Sequence, residues 1–403
     1  MQKVRILPIL FLVTFLMSCQ GETVKSEMAA PVVESEPSRF MYGDEAFLEK
    51  VDSLSGLTVG VVAHHASYIN DVHLVDTLMQ LGVKVQAIFA PEHGFRGNAD
   101  AGADINNEVD ERTGLPVYSL HGKSKKPSVD QLQGIDVLLF DLQDVGVRFY
   151  TYISTLHYVM EACAEQGVKV IVLDRPNPND HYVDGPILKE KFKSFVGMHP
   201  VPVVYGMTIG EYAQMINGEF WLKDSIQCDL EVIEMPNYHH GMPVQLPIKP
   251  SPNLPNMRSI DLYPSLCFFE GTVVSVGRGT SFPFQVYGHP SFEGQKAFQF
   301  TPQPTVGASS PKLNGEVCFG EDLRKDTLRS MDGLNLDWLV EAYGMSDRPS
   351  EFFLKNHFID LLAGTDELRK WIVAGQSADE IQKKWSVELG EFRQTRSKYL
   401  IYP

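Results

Sequence analysis

Three short apolar runs, each ending at a carboxylate, constrain the fold of this 403-residue chain more than any other feature. Apolar runs of this length are typical of buried parallel strands. In an open α/β sheet, ligands bind beyond the carboxyl ends of the strands, so residues that follow the strands share one crevice. We therefore expect acidic groups to line this crevice, where hydrolytic chemistry needs a proton donor and a base. The runs are residues 83–91, 135–140 and 168–173, and they lead to Glu92, to Asp141 and Asp144, and to Asp174.

Strand-like and helix-like segments alternate from about residue 57 to residue 235. Helical spacing covers residues 73–81 and 151–166, and Thr208 forms a capping-box pair with Glu211 at the start of a third helix. This pattern predicts an α/β fold, a doubly wound parallel sheet with helices on both faces. No GxGxxG follows the first strand and the sequence contains no P-loop, so a nucleotide site is not supported. We predict no cofactor.

The periodicity changes near residue 236. Residues 236–264 include seven prolines and are predicted to form an extended linker or lid. A second, smaller α+β subdomain follows, so we divide the folded chain into residues 43–245 and 246–403. The predicted elements of the smaller subdomain are strands at residues 268–276 and 297–300 and helices at residues 337–343, 358–362, 367–373 and 378–392.

Charge and cysteine content narrow the classes of partner and site. The formal net charge is −16, which disfavours nucleic acid, because nucleic acid is bound by basic patches. The four cysteines after residue 19 are widely spaced, without a CxxC or Cys/His ligand pattern, so a zinc site is not predicted. Buried free thiols are the favoured interpretation, although export would permit disulfides. These cysteines are Cys163, Cys228, Cys267 and Cys318.

The N-terminus has the pattern of a bacterial targeting segment. Lys3 and Arg5 precede an apolar stretch at residues 6–17 that is too short to span a membrane comfortably. Residues 16–19, Leu-Met-Ser-Cys, resemble a lipobox, which implies a signal peptide over residues 1–18 and lipidation of Cys19. The alternative is an ordinary secretory signal with an incidental cysteine. Residues 19–42 are predicted to be a flexible tether, and Gln20 after the cysteine points to an outer-membrane lipoprotein facing the periplasm.

The densest chemical cluster is Pro-Glu-His-Gly-Phe-Arg-Gly at residues 91–97. Glu92 at a strand end, against apolar neighbours, is suited to the role of a general acid. His93 or Arg96 could bind a substrate carboxylate, which arginine does bidentately, or hold a second catalytic group. The alternative is a structural turn held by a Glu–Arg ion pair.

Residues 141–152 form a second cluster in which polar, basic and aromatic groups alternate. The pattern is typical of a sugar site, with Asp141, Gln143, Asp144, Arg148 and Tyr150 as the candidate residues. The alternative is a helix N-terminus with an ion pair between Arg148 and Asp144.

Two further groups complete the candidate set. The first is Asp174, Arg175 and Asn177 at a strand end, where an adjacent Asp–Arg pair is often structural. The second subdomain contributes Asn253, Glu270 and Arg278, the last two able to close the cleft. The His64–His65 and His239–His240 pairs have no third group at metal-ligand spacing, and we expect them to be loop or strand-end histidines without a metal.

Taken together, the motifs identify a family resemblance. PEHGFRG, GIDVLLFDLQDVGVRFYTYIS, VLDRPNP, GMTIGE, SPN, YPSLCFFEGT and GRGTSFPF occur in the order seen in the NamZ-type exo-β-N-acetylmuramidases. The resemblance covers about residues 50–403. It implies a Rossmann-like domain joined to a smaller subdomain, with the site in the cleft between them, and release of N-acetylmuramic acid from the non-reducing end of peptidoglycan fragments. Glu92 matches the family's catalytic glutamate, whereas Ala63-His64 stands where the family usually has Thr-Asn.

The resemblance implies a lipid-anchored glycoside hydrolase in which Glu92 protonates the glycosidic oxygen. Peptidoglycan-derived muramyl sugars are the expected partners, and no protein partner is implied. The second catalytic group stays open among Asp141, Asp144, Asp174, Glu270 and the N-acetyl group of the sugar. Candidates for binding the lactyl carboxylate are Arg96, Arg148 and Arg278. The other function classes that we consider are a solute-binding lipoprotein for muramyl sugars and a metal-dependent hydrolase.

Overall fold

The fold was analysed in a computed structural model, which describes residues 40–92, 94–95, 108–122, 124–325 and 331–403. The predicted signal peptide, Cys19 and most of the tether lie outside these residues, as do His93 and Arg96. The described part of the chain packs as one compact unit. The predicted division into two domains at residues 245/246 therefore stays a prediction.

Twelve helices and twelve strands, besides short 3-10 segments, make up the described part of the chain. The strands are β1 (Thr58–Ala63), β2 (Tyr68–Ile69), β3 (Val72–His73), β4 (Lys84–Ala90), β5 (Glu108–Val109), β6 (Pro116–Ser119), β7 (Val137–Asp141), β8 (Lys169–Leu173), β9 (Leu230–Ile233), β10 (Val286–His289), β11 (Phe298–Phe300) and β12 (Cys318–Asp322). The helices are α1 (Gly43–Phe47), α2 (Leu74–Gln80), α3 (Val129–Leu132), α4 (Tyr152–Gln166), α5 (Ile209–Gly218), α6 (Met257–Leu266), α7 (Asp337–Met345), α8 (Pro349–Phe352), α9 (Phe358–Ala363), α10 (Glu367–Val373), α11 (Ala378–Gln382) and α12 (Ser386–Arg396).

A seven-stranded sheet in the order β5-β6-β4-β1-β7-β8-β9 forms the centre of the molecule. All neighbouring strands are parallel except the edge strand β5, which is antiparallel to β6. Every residue of β1 and β7 is buried, as the continuous apolar runs predict. Helices α1 and α2 pack on one face and α4 and α5 on the other, so the prediction of a doubly wound parallel sheet is confirmed.

The second half of the chain joins the same core. A three-stranded antiparallel sheet, β10-β12-β11, and the helices from α6 onward surround buried aromatic residues that are continuous with one face of the large sheet. None of the helices in the described ranges combines the length and apolar character needed to cross a membrane. Cys163, Cys228, Cys267 and Cys318 are buried and unbonded to one another, which confirms the expectation of free thiols.

Two sequence predictions in this half are wrong. Part of the proline-rich segment is helix α6, because the Asn256 side chain accepts a hydrogen bond from the Ser259 backbone N–H at 2.9 Å and caps the helix, while Pro264 lies close to its C-terminal end. Residues 268–276 do not form a strand. They begin as a 3-10 turn, and the carbonyls of Phe269, Thr272 and Val274 are bound by the Lys312 ammonium group instead of by a neighbouring strand.

His240 connects the end of the chain to the loop after β8 and to helix α5 through a buried ionic contact. His240 Nδ1 lies 3.0 Å from Asp180 Oδ2, and its Nε2 lies 2.9 Å from Glu211 Oε1. The His240 backbone N–H also donates to the carbonyl of Pro403. Although burial opposes the charged imidazolium, the two carboxylates dominate and raise the pKa of His240 to about 9.

We predict that this contact makes stability depend on alkaline pH. His240 is protonated in the folded protein up to about pH 9 and in the unfolded chain only up to about pH 6.5, so its stabilisation is complete below pH 6.5 and is lost as pH rises through 9. The difference corresponds to about 3 kcal/mol. The measurement is the free energy of unfolding in urea between pH 6 and 9.5 for the natural chain and for His240→Gln.

The exposed neighbour His239 provides a matched control, since His239→Gln removes an imidazole that contacts no carboxylate in the described part of the chain. The free energy of unfolding of the natural chain and of His239→Gln should fall by the same amount as the pH rises over this range. That of His240→Gln should change less. Parallel pH profiles for all three proteins would contradict the assignment.

Candidate active site

A cleft of about 580 Å³ lies between the carboxyl edge of the large sheet and the second half of the chain. Its wall from the first half consists of the Glu92 turn, which follows β4, and the segment that leads into α4. The second half supplies the 3-10 turn after α6, the turn that ends at Arg278, the loop 307–312, and α9. The lining residues used below are Glu92, Phe149, Thr151, Tyr263, Glu270, Arg278, Lys312, Phe358 and Leu362.

Glu92, the candidate for the general acid, lines this cleft. It is partly buried and stands two residues after the end of β4. The hydroxyl of Thr151, which immediately precedes α4, donates a hydrogen bond to Glu92 Oε2 at 3.1 Å. A contact of this kind restricts the rotamer of the carboxyl group. Thr151 is a site residue that sequence reasoning passed over, although it lies within the second motif.

Glu270 and Arg278 lie in the same cleft as Glu92. Arg278 Nε donates to Glu270 Oε1 at 3.2 Å, and the guanidinium carbon lies 4.8 Å from the centre of the Phe284 ring. Burial alone would raise the pKa of Glu270, but the charges of Arg278 and Lys312 outweigh it and lower that pKa. Glu270 is therefore ionised at neutral pH.

Asp141 lies outside the cleft. It is completely buried at the end of β7, where Arg175 Nε and Nη2 donate to its two carboxylate oxygens at 2.5 and 3.0 Å. Arg175 Nη2 also donates to Asp44 Oδ2 at 2.6 Å. This placement differs from the predicted catalytic role of Asp141 and from a substrate-binding role for Arg175, because the guanidinium group is already occupied by two carboxylates.

Asp174 is also occupied by protein groups. Its oxygens accept hydrogen bonds from the hydroxyls of Thr208 and Tyr402, both at 2.7 Å, and from the Gly210 backbone N–H at 2.8 Å. Burial raises the pKa of Asp174 to about 7. The carboxylate thus joins β8 to the start of α5 and to the end of the chain, away from the cleft.

Asp144 is buried behind the cleft lining. Its Oδ2 accepts hydrogen bonds from the Tyr205 hydroxyl and, at 2.7 Å, from the Gly146 backbone N–H. Burial raises its pKa to about 6. Asp144 is not among the residues that line the cleft, so the structure does not bring it next to Glu92 in the way that the sequence predicts.

Arg148 is completely buried, and its guanidinium group binds backbone carbonyls. Nη1 donates to Pro186 and Val201 at 2.8 and 2.5 Å, and Nη2 donates to Leu362 at 3.0 Å. Burial lowers its pKa to about 9. The suggested Arg148–Asp144 ion pair does not form. Arg148 Nε has no partner among the described residues, but the side chain is completely buried and is not among the residues that line the cleft.

The remaining candidates divide between a small recess beside Glu92 and the buried interior. Tyr150 and Asn253 line the recess, and Asn253 Nδ2 donates to the Gly307 carbonyl at 2.8 Å, which fixes the loop 307–312. Gln143 and Asn177 are buried and donate to the carbonyls of Pro176 and Met207, respectively. Both amides position the strand-end loops.

His64, which departs from the family pattern, is a buried residue. Its Nε2 accepts from the Gln143 backbone N–H at 3.1 Å, and its Nδ1 lies 3.1 Å from the Tyr152 hydroxyl. No group of three histidine, cysteine, aspartate or glutamate side chains in the described ranges is arranged to bind a metal ion.

Comparisons with known proteins identify the family to which this chain is similar. A family model described as exo-beta-N-acetylmuramidase NamZ, N-terminal, matches residues 59–258, and its C-terminal counterpart matches residues 261–402. The peptidoglycan beta-N-acetylmuramidase NamZ of Bacillus subtilis is 39% identical over 367 residues, which are 87% of this chain and 88% of that protein.

Two crystal structures of DUF1343 family proteins from Bacteroides fragilis have the same fold. One superposes with a TM-score of 0.83 at 45% identity, and the other with a TM-score of 0.78 at 29% identity. Each comparison covers 91% of this chain and 99% of the other.

We predict that Asp141 contributes to stability rather than to chemistry. Asp141→Asn leaves the buried Arg175 charge with one carboxylate fewer, and loss of a buried partner costs about 3–5 kcal/mol. The free energy of unfolding in urea measures this loss. Asp366→Asn is the control, because Asp366 pairs with the exposed Lys370 and such pairs contribute about 1 kcal/mol or less. An Asp141→Asn protein of full stability without activity would contradict the structural role.

Proposed function

Because the chain belongs to the NamZ family of exo-β-N-acetylmuramidases, we propose that Glu92 is the general acid with which it hydrolyses its glycosidic substrate. The chain is a glycoside hydrolase that acts on peptidoglycan. We further propose that it removes N-acetylmuramic acid from the non-reducing end of β-1,4-linked fragments. The observation that supports the role of Glu92 is its position in the cleft, hydrogen-bonded by Thr151 and sharing the cleft with the ionised Glu270.

Glycoside hydrolysis requires a group that protonates the leaving oxygen while positive charge develops at the anomeric carbon. Glu92 can donate this proton, since its carboxyl group lines the cleft. Among the described residues, Glu92 and Glu270 are the carboxylates that line the cleft. The pair provides two carboxyl groups in different environments, an arrangement that separates acid and base roles. The apolar side chains of Phe149, Phe358 and Leu362 supply surface for the nonpolar face of a sugar ring.

We predict that Glu92→Gln lowers kcat about 10²- to 10⁴-fold, the range that general acid catalysis contributes. The measurement is release of free N-acetylmuramic acid from the MurNAc-β-1,4-GlcNAc disaccharide by residues 39–403, a single compact unit. Glu49→Gln, at an exposed glutamate, is the control and should retain full activity. An active Glu92→Gln enzyme would exclude Glu92 as the acid.

The same assay with EDTA separates the other function classes. Release of N-acetylmuramic acid with and without EDTA supports a metal-independent hydrolase. Loss of release with EDTA would favour a metal-dependent hydrolase. Binding of the disaccharide without any release, measured by calorimetry, would favour a solute-binding protein.

The attachment of the enzyme to a membrane is a separate proposal. The basic start, the apolar stretch and the Leu-Met-Ser-Cys sequence at residues 16–19 support cleavage before Cys19 and lipidation of its thiol. A lipid anchor followed by a polar tether would hold the enzyme at the outer membrane, facing the periplasm and its muramyl substrates.

We predict that Cys19→Ala abolishes incorporation of a labelled fatty acid and moves the protein from the membrane fraction to the soluble fraction. Cys318→Ala, at a cysteine remote from the N-terminus in sequence, is the control and should remain membrane-bound. Separation of the membranes by density tests the outer-membrane location. A natural chain that incorporates no fatty acid would contradict lipidation.

A further inference from the structure

The Glu270–Arg278 pair has hydrogen-bonding capacity that no residue in the described part of the chain uses. Each side chain is about one quarter exposed, at 23% for Glu270 and 24% for Arg278, and both line the cleft. Their contact uses Arg278 Nε and Glu270 Oε1. In the described part of the chain, Arg278 Nη1 and Nη2 and Glu270 Oε2 have no hydrogen-bond partner. Two donors and one acceptor therefore remain side by side in the cleft.

Lys312 fixes the turn that carries this pair. Its ammonium group donates to the carbonyls of Phe269, Thr272 and Val274 at 3.0, 2.6 and 3.0 Å. An ammonium group has three N–H donors, so these contacts account for all of them. Lys312 thus acts as a positioning residue, and its charge gives the cluster of Glu270, Arg278 and Lys312 a formal net charge of +1.

The unused groups define the chemistry of a ligand. Two guanidinium N–H groups bind the two oxygens of a carboxylate in a planar, bidentate contact. A neighbouring carboxylate oxygen requires an N–H or O–H donor. The matching ligand carries one carboxylate and one neutral N–H or O–H donor on neighbouring substituents. N-acetylmuramic acid has this arrangement, because C2 carries an acetamide N–H and the oxygen on the adjacent C3 carries a lactyl ether that ends in a carboxylate.

We propose that Arg278 binds the lactyl carboxylate of N-acetylmuramic acid while Glu270 accepts the acetamide N–H, with Lys312 holding both in position. This inference rests on the proposed activity and assigns residues to its substrate specificity. Arg148 cannot take the carboxylate, because its terminal nitrogens bind the carbonyls of Pro186, Val201 and Leu362. The cluster of Glu270, Arg278 and Lys312, with its formal charge of +1, also attracts an anionic sugar at short range.

The test compares three monosaccharides that differ at these two positions. N-acetylmuramic acid has both groups, N-acetylglucosamine lacks the lactyl group, and 3-O-lactylglucose lacks the acetamide. Calorimetry on the full chain gives the dissociation constant of each sugar. Arg278→Met should raise the dissociation constant of N-acetylmuramic acid about 10- to 100-fold, the range for hydrogen bonds between charged groups. The dissociation constant of N-acetylglucosamine should change by no more than about twofold. Glu270→Ala should weaken the binding of the two sugars that carry an acetamide more than it weakens the binding of 3-O-lactylglucose.

The control is Arg324→Met. Arg324 also pairs with a carboxylate, Asp322, and lies over an aromatic ring, Phe282 at 4.2 Å, but it is not among the residues that line the cleft. This variant should bind all three sugars like the natural chain. If Arg278→Met weakens the binding of both acetamide sugars equally, or of neither, the proposed contact with the carboxylate is wrong. Equal effects of Glu270→Ala on all three sugars would overturn the acetamide contact.

The role of Lys312 has its own readout. Lys312→Met should reduce the preference for N-acetylmuramic acid over N-acetylglucosamine, whereas Lys312→Arg, which keeps the charge and several donors, should restore part of it. A folded Lys312→Met protein with an unchanged preference would contradict a positioning role. Failure of the proposed activity is distinguishable, since a natural chain that binds as predicted but releases no N-acetylmuramic acid would contradict the hydrolase and leave the binding assignment intact.

Discussion

The cleft depends on the burial of one uncompensated cation, Arg148. Its guanidinium group is completely buried and binds three backbone carbonyls, those of Pro186 and Val201 beside the large sheet and that of Leu362 at the end of α9. Leu362 lines the cleft. The Arg148 side chain, which binds the Leu362 carbonyl, therefore joins the two walls between which the sugar must bind. A buried charge without a carboxylate is costly, and the lowered pKa of Arg148 reflects that cost. The three carbonyls offset the cost of burying this charge only while both halves of the chain are packed together.

The sequence predicted the parallel-sheet half well because its signals are local. The three apolar runs, of six to nine residues, predicted β4, β7 and β8, the alternation that starts at about residue 57 predicted β1, and the Thr208–Glu211 capping box predicted the start of α5. The second half was predicted less well, because its structure depends on distant partners. The segment 268–276 has the apolar composition of a strand, yet its carbonyls are bound by Lys312, some forty residues later in the chain.

Of the carboxylates that follow the three apolar runs, one lines the cleft. Glu92 lies in the cleft, whereas Asp141 and Asp174 are bound by protein groups from far along the chain. Asp141 meets Arg175, which also binds Asp44, and Asp174 meets Tyr402 near the C-terminus. The local sequence of the three runs is similar. The three carboxylates differ in which distant side chain contacts them. The tertiary fold determines these contacts, and the local motif does not.

The charged wall of the cleft explains why an acidic protein can select an anionic sugar. Long-range repulsion from a net charge of −16 is screened within about 8 Å at physiological salt, so short-range contacts determine binding. Glu270 and Arg278 largely neutralise each other, and the remaining charge is that of Lys312, whose donors are all used. A fixed cation without spare donors attracts a carboxylate but does not orient it. Orientation must come from Arg278, whose open edge faces the cleft. Separating attraction from orientation in this way lets the site discriminate a lactyl sugar from its neutral counterpart.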